Sequence, residues 1–497
     1  MPVQEPFAQT VHATSSAVAP VFVRVGRPPT APAGDDEGVP FASDRLDALL
    51  GPSGSSLTPD WTAWAEILAF GAPLAGRTPF QEIRRLQPGE SAVREQDEAV
   101  IRRGTWEWTE IEPEGGLDPR TLTDEILEIL RTQLRQAGDA GPLSPMLSGG
   151  RDSRLLTALA QQVRPDGLTA WTTSSDTGTS MEELVAARTA QILGVDHRIV
   201  PAAVEDFPCD ARDYARTVHH MASFHMWLMP VSRAIAQSAT RAGAGVVLDG
   251  LGGGVFLGGG FPDEPAVIGV GVRAASTQAV VASRFARLGR YLDATEDILA
   301  PGVGEDLRER ARSDFESVAR PLAHHPNGAT LTAYLTRTLP GISLAPVKVL
   351  GSGAPTRTPI MAEEVVSQAL RVPAEAKQEG LWYPHLLERA DSRLVGLATA
   401  ADRTGRRQHI RRISSLESAA WLRELILGSP AGELLSASMR VATAQGWAEE
   451  LSRTKPQHLL RGLALLALWL EEYGPRLTCA EPEITPRSSV NRKARHE

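Results

Sequence analysis

Strand–turn–helix units recurring between residues 122 and 248 predict an α/β chain built on a doubly wound parallel sheet. Three observations carry that expectation. Short runs at Pro142–Leu147, Leu168–Thr173, Asp196–Val200 and Gly245–Leu248 have the length of strands, the first of them a buried one. Between them, Leu122–Arg135, Leu155–Val163 and Glu182–Leu193 carry helical periodicity. Both Gly-rich loops, at 148–153 and 249–260, follow strands, and ligands in such sheets bind at the carboxyl ends of strands.

Taken in order, residues 1–40 hold Pro and Gly clusters (GRPPTAPAGDDEG) with at most a short strand at Val21–Val25. Trp61–Phe70 (WTAWAEILAF) predicts a short amphipathic helix, and Ala99–Trp108 alternates like a strand. GGLDPR at 115–120 marks a boundary between a first domain, 1–115, and a second, 116–475. Residues 280–470 read as mostly helical, and the polar tail 476–497 predicts disorder. Leu459–Leu470, interrupted by Arg461, is too short to span a bilayer and predicts a buried helix, so no membrane partner is expected.

The chain has 497 residues, 42% hydrophobic and 22% charged, which excludes wholesale disorder and fibrous folds. Its formal charge of −9 argues against a nucleic-acid partner held by counterion release. Two cysteines, Cys209 and Cys479, support neither a disulfide framework nor a four-thiolate zinc site. A reduced, cytoplasmic location is the expectation.

The strongest chemical signal is Leu147-Ser148-Gly149-Gly150-Arg151-Asp152-Ser153, between a strand and a helix. Two glycines let the backbone turn tightly, so successive N–H groups face one concavity. The Ser148 and Ser153 hydroxyls and the positive end of the following helix add to it. That makes a phosphate cradle, in which Asp152 suits a phosphate bridged by Mg²⁺. A Gly-Gly turn with a Ser or Asp cap gives the same letters without function, although the flanking strand and helix favour the cradle. His219, His220 and His225 lack a matching carboxylate or Cys spacing and read as structural histidines.

This loop resembles the SGGxDS pyrophosphate loop of the N-type ATP pyrophosphatases, and the order of motifs around it resembles the asparagine synthetase family. Trp171–Ser174 is similar to that family's next strand, Glu182 to an acidic helix position, and Leu193-Gly194-Val195-Asp196-His197 to the helix exit. Val246-Val247-Leu248-Asp249-Gly250 and the glycines to Gly259 resemble its later loop, and Gly76-Arg77-Thr78-Pro79-Phe80 the end of its glutaminase domain. The resemblance implies an N-terminal α+β, glutaminase-like (Ntn-type) domain ahead of an adenylating domain of the adenine nucleotide alpha hydrolase-like type, extended by helices. It also implies ATP and Mg²⁺ as cofactors, with Leu147, Ser148, Gly149, Gly150, Arg151, Asp152, Ser153, Thr173, Asp249 and Gly250 around the nucleotide. Asp152, Glu182 and Asp249 would be the Mg²⁺ carboxylates, and Asp152 and Lys377 the catalytic residues.

Three departures from the family pattern shape the expectation. Position 2 is Pro2, where the family has its cysteine nucleophile, so no glutaminase chemistry is expected. That is the pattern of β-lactam synthetases and lasso-peptide cyclases, which join a carboxylate to an amine already in the substrate. The family's acidic pair falls at Gly254 and Val255, with Asp249 in place of a serine. Its lysine would lie near Gly380–Leu387, where Lys377 is nearest and Arg407, Arg411 or Arg412 are further sources of charge. The implied activity is ATP-dependent, AMP- and pyrophosphate-forming amide synthesis on a small-molecule or peptide substrate, with a leader-peptide-binding protein or protease as implied partners. Two alternatives stay open: an asparagine synthase using ammonia, and a non-catalytic nucleotide-binding relative. A tRNA-modifying relative is disfavoured by the acidic balance.

Overall fold

A computed structural model describes residues 10–25, 40–52, 54–95, 98–116, 118–166, 168–173, 181–242, 245–263, 275–378, 382–400 and 411–484. The chain begins with two small antiparallel sheets. In one, Glu90–Glu95 (β5) lies between Thr10–His12 (β1) and Glu98–Arg103 (β6). In the other, Phe22–Arg24 (β2) lies between Ala42–Ser43 (β3) and Ile83–Arg85 (β4). The strand expected over Ala99–Trp108 stops at Arg103, where the Gly104 N–H donates to the Gly89 carbonyl (2.7 Å) and closes the ladder. Trp106 and Trp108 then turn onto Tyr334, with ring centres 6.3 and 5.4 Å apart.

Helix α1 spans Trp61–Phe70, capped by the Asp60 carboxylate, which accepts from the Thr62 and Ala63 N–H groups. Its expected amphipathic character is corrected by the structure: every residue except Thr62 is buried. The reason is tertiary, because α1 packs against both Val303–Ala319 and Thr454–Tyr473. Trp469 of the latter helix touches Trp61, Trp64 and Phe80. Residues 459–470 are buried throughout, and no helix among the described residues is long and apolar enough to cross a membrane. Of the tail expected from residue 476, Leu477 bridges Leu57 and Ile484 is buried in the same core, while 485–497 lie outside the described residues.

The parallel sheet contains, in chain order, Leu143–Pro145 (β7), Thr169–Thr173 (β8), Asp196–Val200 (β9), Val246–Leu248 (β10) and Thr356–Arg357 (β11). β10 pairs with β7 and β11, β8 pairs with β9, and a parallel bridge from Met146 to Trp171 joins β7 to β8. The spatial order is therefore β9-β8-β7-β10-β11, with the first strand in the middle. β11 was not legible in the sequence, since two residues carry no period. Side chains alternate across β10. Val246 and Leu248 share a core with Leu127 and Leu130 of Pro119–Asp139 (α2) and with Leu155 and Leu159 of Arg151–Val163 (α3), whereas Val247 packs with Val231 and Ile235 of Met229–Ala242. Helices thus cover both faces, as a doubly wound sheet requires.

In such a sheet the ligand crevice lies where the strand order reverses, here between β7 and β10. The N-terminal sheets brace the far wall of that crevice. The buried Arg85 of β4 donates to the carbonyls of Leu339 (2.9 Å) and Ala17 (3.0 Å), and Tyr334 donates to the Ser16 carbonyl.

Candidate nucleotide site

The residues after β7 and after β10 meet at the reversal and line one cavity of about 600 Å³. Leu147, Ser148, Asp152, Ser153, Thr173, Glu182, Asp249 and Gly250 all contribute to its wall. The loop donors are met by side-chain oxygens: the Gly149 N–H by Glu182 Oε2 (2.7 Å), the Gly150 N–H by Ser148 Oγ (3.1 Å), and the Ser148 N–H by Ser153 Oγ (3.0 Å). The loop expected to cradle phosphate thus holds its own donors in internal hydrogen bonds at the start of α3, so an anion binding there would take the place of those partners. Arg154, buried behind it, donates to the carbonyls of Gly149 (3.1 Å), Leu397 (2.6 Å) and Ala398 (2.7 Å), and so ties the loop to residues 397–398.

Asp152 and Asp249 lie on opposite sides of the reversal, both half-buried on the cavity wall. Tyr383 donates its hydroxyl to Asp152 Oδ1 (2.5 Å), and the Leu251 N–H donates to Asp249 Oδ1 (2.8 Å). Burial raises the Asp152 carboxyl above its ordinary range, and burial with the Asp152 charge pushes Asp249 up to about 6. Two such carboxylates with only neutral donors fit a divalent cation that completes its shell with phosphate oxygens and water, as Mg²⁺ does. Glu182 sits on the Gly149 amide, and among the described residues no three potential metal ligands group together.

The Asp249 shift sets a pH dependence. A carboxyl raised in the folded state adds stability below its ordinary value of 3.8, and that contribution is lost as the pH rises through about 6. Cation binding has the opposite sign, because the ligand must be ionised. MgATP affinity is expected to fall about tenfold per pH unit below about 6. Calorimetry between pH 5 and 8 reads this directly, and a flat profile removes Asp249 from the cation site.

Gly253 shows how tightly the second loop closes on Asp152. A Cβ there would lie 2.3 Å from the Asp152 Cγ and 2.5 Å from Oδ1, distances no real contact permits. Gly253→Ala is therefore expected to displace the carboxylate and weaken MgATP binding about tenfold or more, with the far-ultraviolet circular dichroism unchanged. Unchanged affinity in that variant contradicts this packing.

The remaining expected residues are placed differently. Arg151, at the first turn of α3, is half-buried and outside the cavity lining, but its charge favours ionised Asp152. Lys377, on Ala374–Gln378, is buried, lowered by that burial to about 7, and absent from the cavity wall. Arg411 pairs with Glu183 (3.3 Å) and Arg412 with Asp210, while Arg407, Ser174, Gly380 and Leu381 lie outside the described residues. Tyr383 was missed by the sequence reading, although it lies in the segment searched for a lysine. His225, read as structural, lines the cavity with Trp227 and Arg337. The fold brings Arg337 to the 225–227 segment across more than a hundred residues.

A Gly-rich, hydroxyl-bearing loop at the reversal of a doubly wound sheet, with Asp152 and Asp249 on either side, defines an α/β protein with a candidate nucleotide site. The sequence pattern of the asparagine synthase family matches residues 125–471, and the chain belongs to that family. Membership carries ATP-dependent amidation or ligation as the general chemistry. No curated protein matches the chain. Among solved structures, the NH3-dependent NAD synthetase from Campylobacter jejuni subsp. jejuni NCTC 11168 in complex with the nitrate ion is 12% identical, covers 40% of this chain and 96% of that one, and has a TM-score of 0.22.

Proposed function

We propose that this protein activates a substrate carboxylate as an acyl-adenylate and passes the acyl group to an amine, in natural-product or peptide macrolactam synthesis of the β-lactam synthetase or lasso-cyclase kind. A carboxylate oxygen attacks the α-phosphorus of ATP, the bond to the bridging oxygen of the β-phosphate breaks, and pyrophosphate leaves. The amine nitrogen then attacks the acyl carbon, AMP leaves, and the amine proton passes to solvent. Mg²⁺, bound with ATP, neutralises phosphate charge. Asp152 and Asp249 would hold that ion, Tyr383 keeps Asp152 oriented, and the Ser148–Ser153 loop positions the departing pyrophosphate.

The observation that carries this reading is the meeting of the 148–153 cradle and the Asp152–Asp249 pair in one cavity at the strand-order reversal. Product analysis with a panel of amino-acid and peptide acids tests it: AMP and pyrophosphate are expected, and ADP with phosphate refutes it. A second reading, a nucleotide-binding protein without catalysis, is favoured by Gly254 and Val255 standing where the family has its acidic pair. It predicts MgATP binding with no AMP formed from any substrate.

A further inference from the structure

The cavity is chemically two-sided. Among the described residues its carboxylates are Asp152 at the start of α3, Glu182 in the first turn of the helix Met181–Leu193, and Asp249 after β10. Among the described residues, the wall beyond them holds the permanent cation Arg337, set in a surround of Trp227, Leu228, Phe261, Ile342 and Pro346. The Arg337 guanidinium lies over the Phe261 ring, 4.9 Å from its centre. Two polar atoms here are buried and lack a hydrogen-bond partner among the described residues, Thr338 Oγ1 and His225 Nδ1. Buried polar atoms are ordinarily satisfied, so these two leave hydrogen-bonding capacity in residues of the cavity wall beside Arg337.

Backbone geometry agrees with this placement. His225 holds φ +48, in the left-handed region that costs a non-glycine residue energy and is kept where the surroundings enforce it. Arg337, Thr338 and Ile342 come from a π-type helix, Tyr334–Ile342, and Pro346 from another, Ala345–Leu350. Such wide turns recur at functional sites.

We infer that this half of the cavity binds the non-reacting part of the acyl substrate, an apolar, preferably aromatic, body carrying a second anionic group that Arg337 and Thr338 hold. The inference rests on the acyl-activation reading above and deepens it. A small, wholly polar acid such as free aspartate leaves the Trp227 and Phe261 surfaces uncovered, so it is a poor ligand.

The test uses the full chain loaded with Mg²⁺ and adenosine 5′-(α,β-methylene)triphosphate, titrated by calorimetry with N-benzoyl-L-aspartate and with L-aspartate. The benzoyl compound is expected to bind at least about tenfold more tightly. Arg337→Gln is expected to weaken it about tenfold or more, and Thr338→Val severalfold. Arg337→Lys, which keeps the charge, should fall between wild type and Arg337→Gln. The nucleotide analogue itself should bind all variants within about twofold of wild type, which also shows that they fold. Equal affinity for the two acids, no binding of either to loaded protein, or indifference to Arg337→Gln overturns the inference. So does a loss of nucleotide affinity in Arg337→Gln, which would assign the arginine to the phosphates. Failure of wild-type protein to bind the nucleotide analogue is a different result, and strikes the proposed function.

Discussion

Asp152→Asn is expected to reduce MgATP affinity at least about a hundredfold while leaving the fold intact. The change keeps shape and acceptor: Asn Oδ1 can still receive the Tyr383 hydroxyl that reaches Asp152 at 2.5 Å. Only the charge is lost, and the charge is what a cation bridging to phosphate requires. Because burial already raises the Asp152 carboxyl, replacing it with a neutral amide removes a desolvated charge and should not lower the melting temperature. A hundredfold corresponds to about 2.7 kcal/mol, within the range for a buried, hydrogen-bonded charge contact. Equal affinity of wild type and variant by calorimetry refutes the site assignment.

Asp249→Ser, which restores the residue usual in the family, is expected to lower ATP–pyrophosphate exchange at least about a hundredfold. Asp249 faces Asp152 across the strand-order reversal closely enough for the Asp152 charge to raise it. Under the proposed function it is the carboxylate expected to take over what Gly254 and Val255 cannot supply. A ligand that holds a cation against developing phosphate charge in a dry site is worth several kcal/mol. The structure also selects the complementary experiment. A Cβ on Gly254 would lie 3.8 Å from Asp152 Oδ2, an ordinary contact, so Gly254→Asp adds a carboxylate at the site. Val255 packs in the core with Phe256 and Leu257, so Val255→Glu buries a charge and is unsuitable. Raised exchange in Gly254→Asp indicates a shortage of cation ligands. If Asp249→Ser leaves exchange unchanged, Asp249 plays no such part.

Much of the α/β half was legible because its signals are local. The glycine turn at 148–150, the strand over Asp196–Val200 and the helix over residues 459–470 follow from glycine placement, the strand–helix rhythm and an apolar run, and stand where expected. Boundaries moved by one to four residues where caps decided them, as at Asp118, which starts the helix of Leu122–Arg135 at Pro119. The misreadings share one cause. Helix α1 was read as amphipathic although helices from far along the chain bury it on nearly all sides, and Ala99–Trp108 was read as one strand although its ladder partner ends at Glu90.

The sequence by itself determined the chemistry available at the carboxyl ends of two strands: tight glycine turns, hydroxyl donors and the acids Asp152 and Asp249. Those properties reside in the residues and their immediate neighbours. Only the tertiary structure decided that β7 and β10 are adjacent, that Tyr383 orients Asp152, that Lys377 is buried away from the cavity, and that Arg337, Thr338 and His225 share its far wall. The physical reason is sequence distance. Contacts between segments more than a hundred residues apart depend on how whole layers pack, and no local period or motif encodes that.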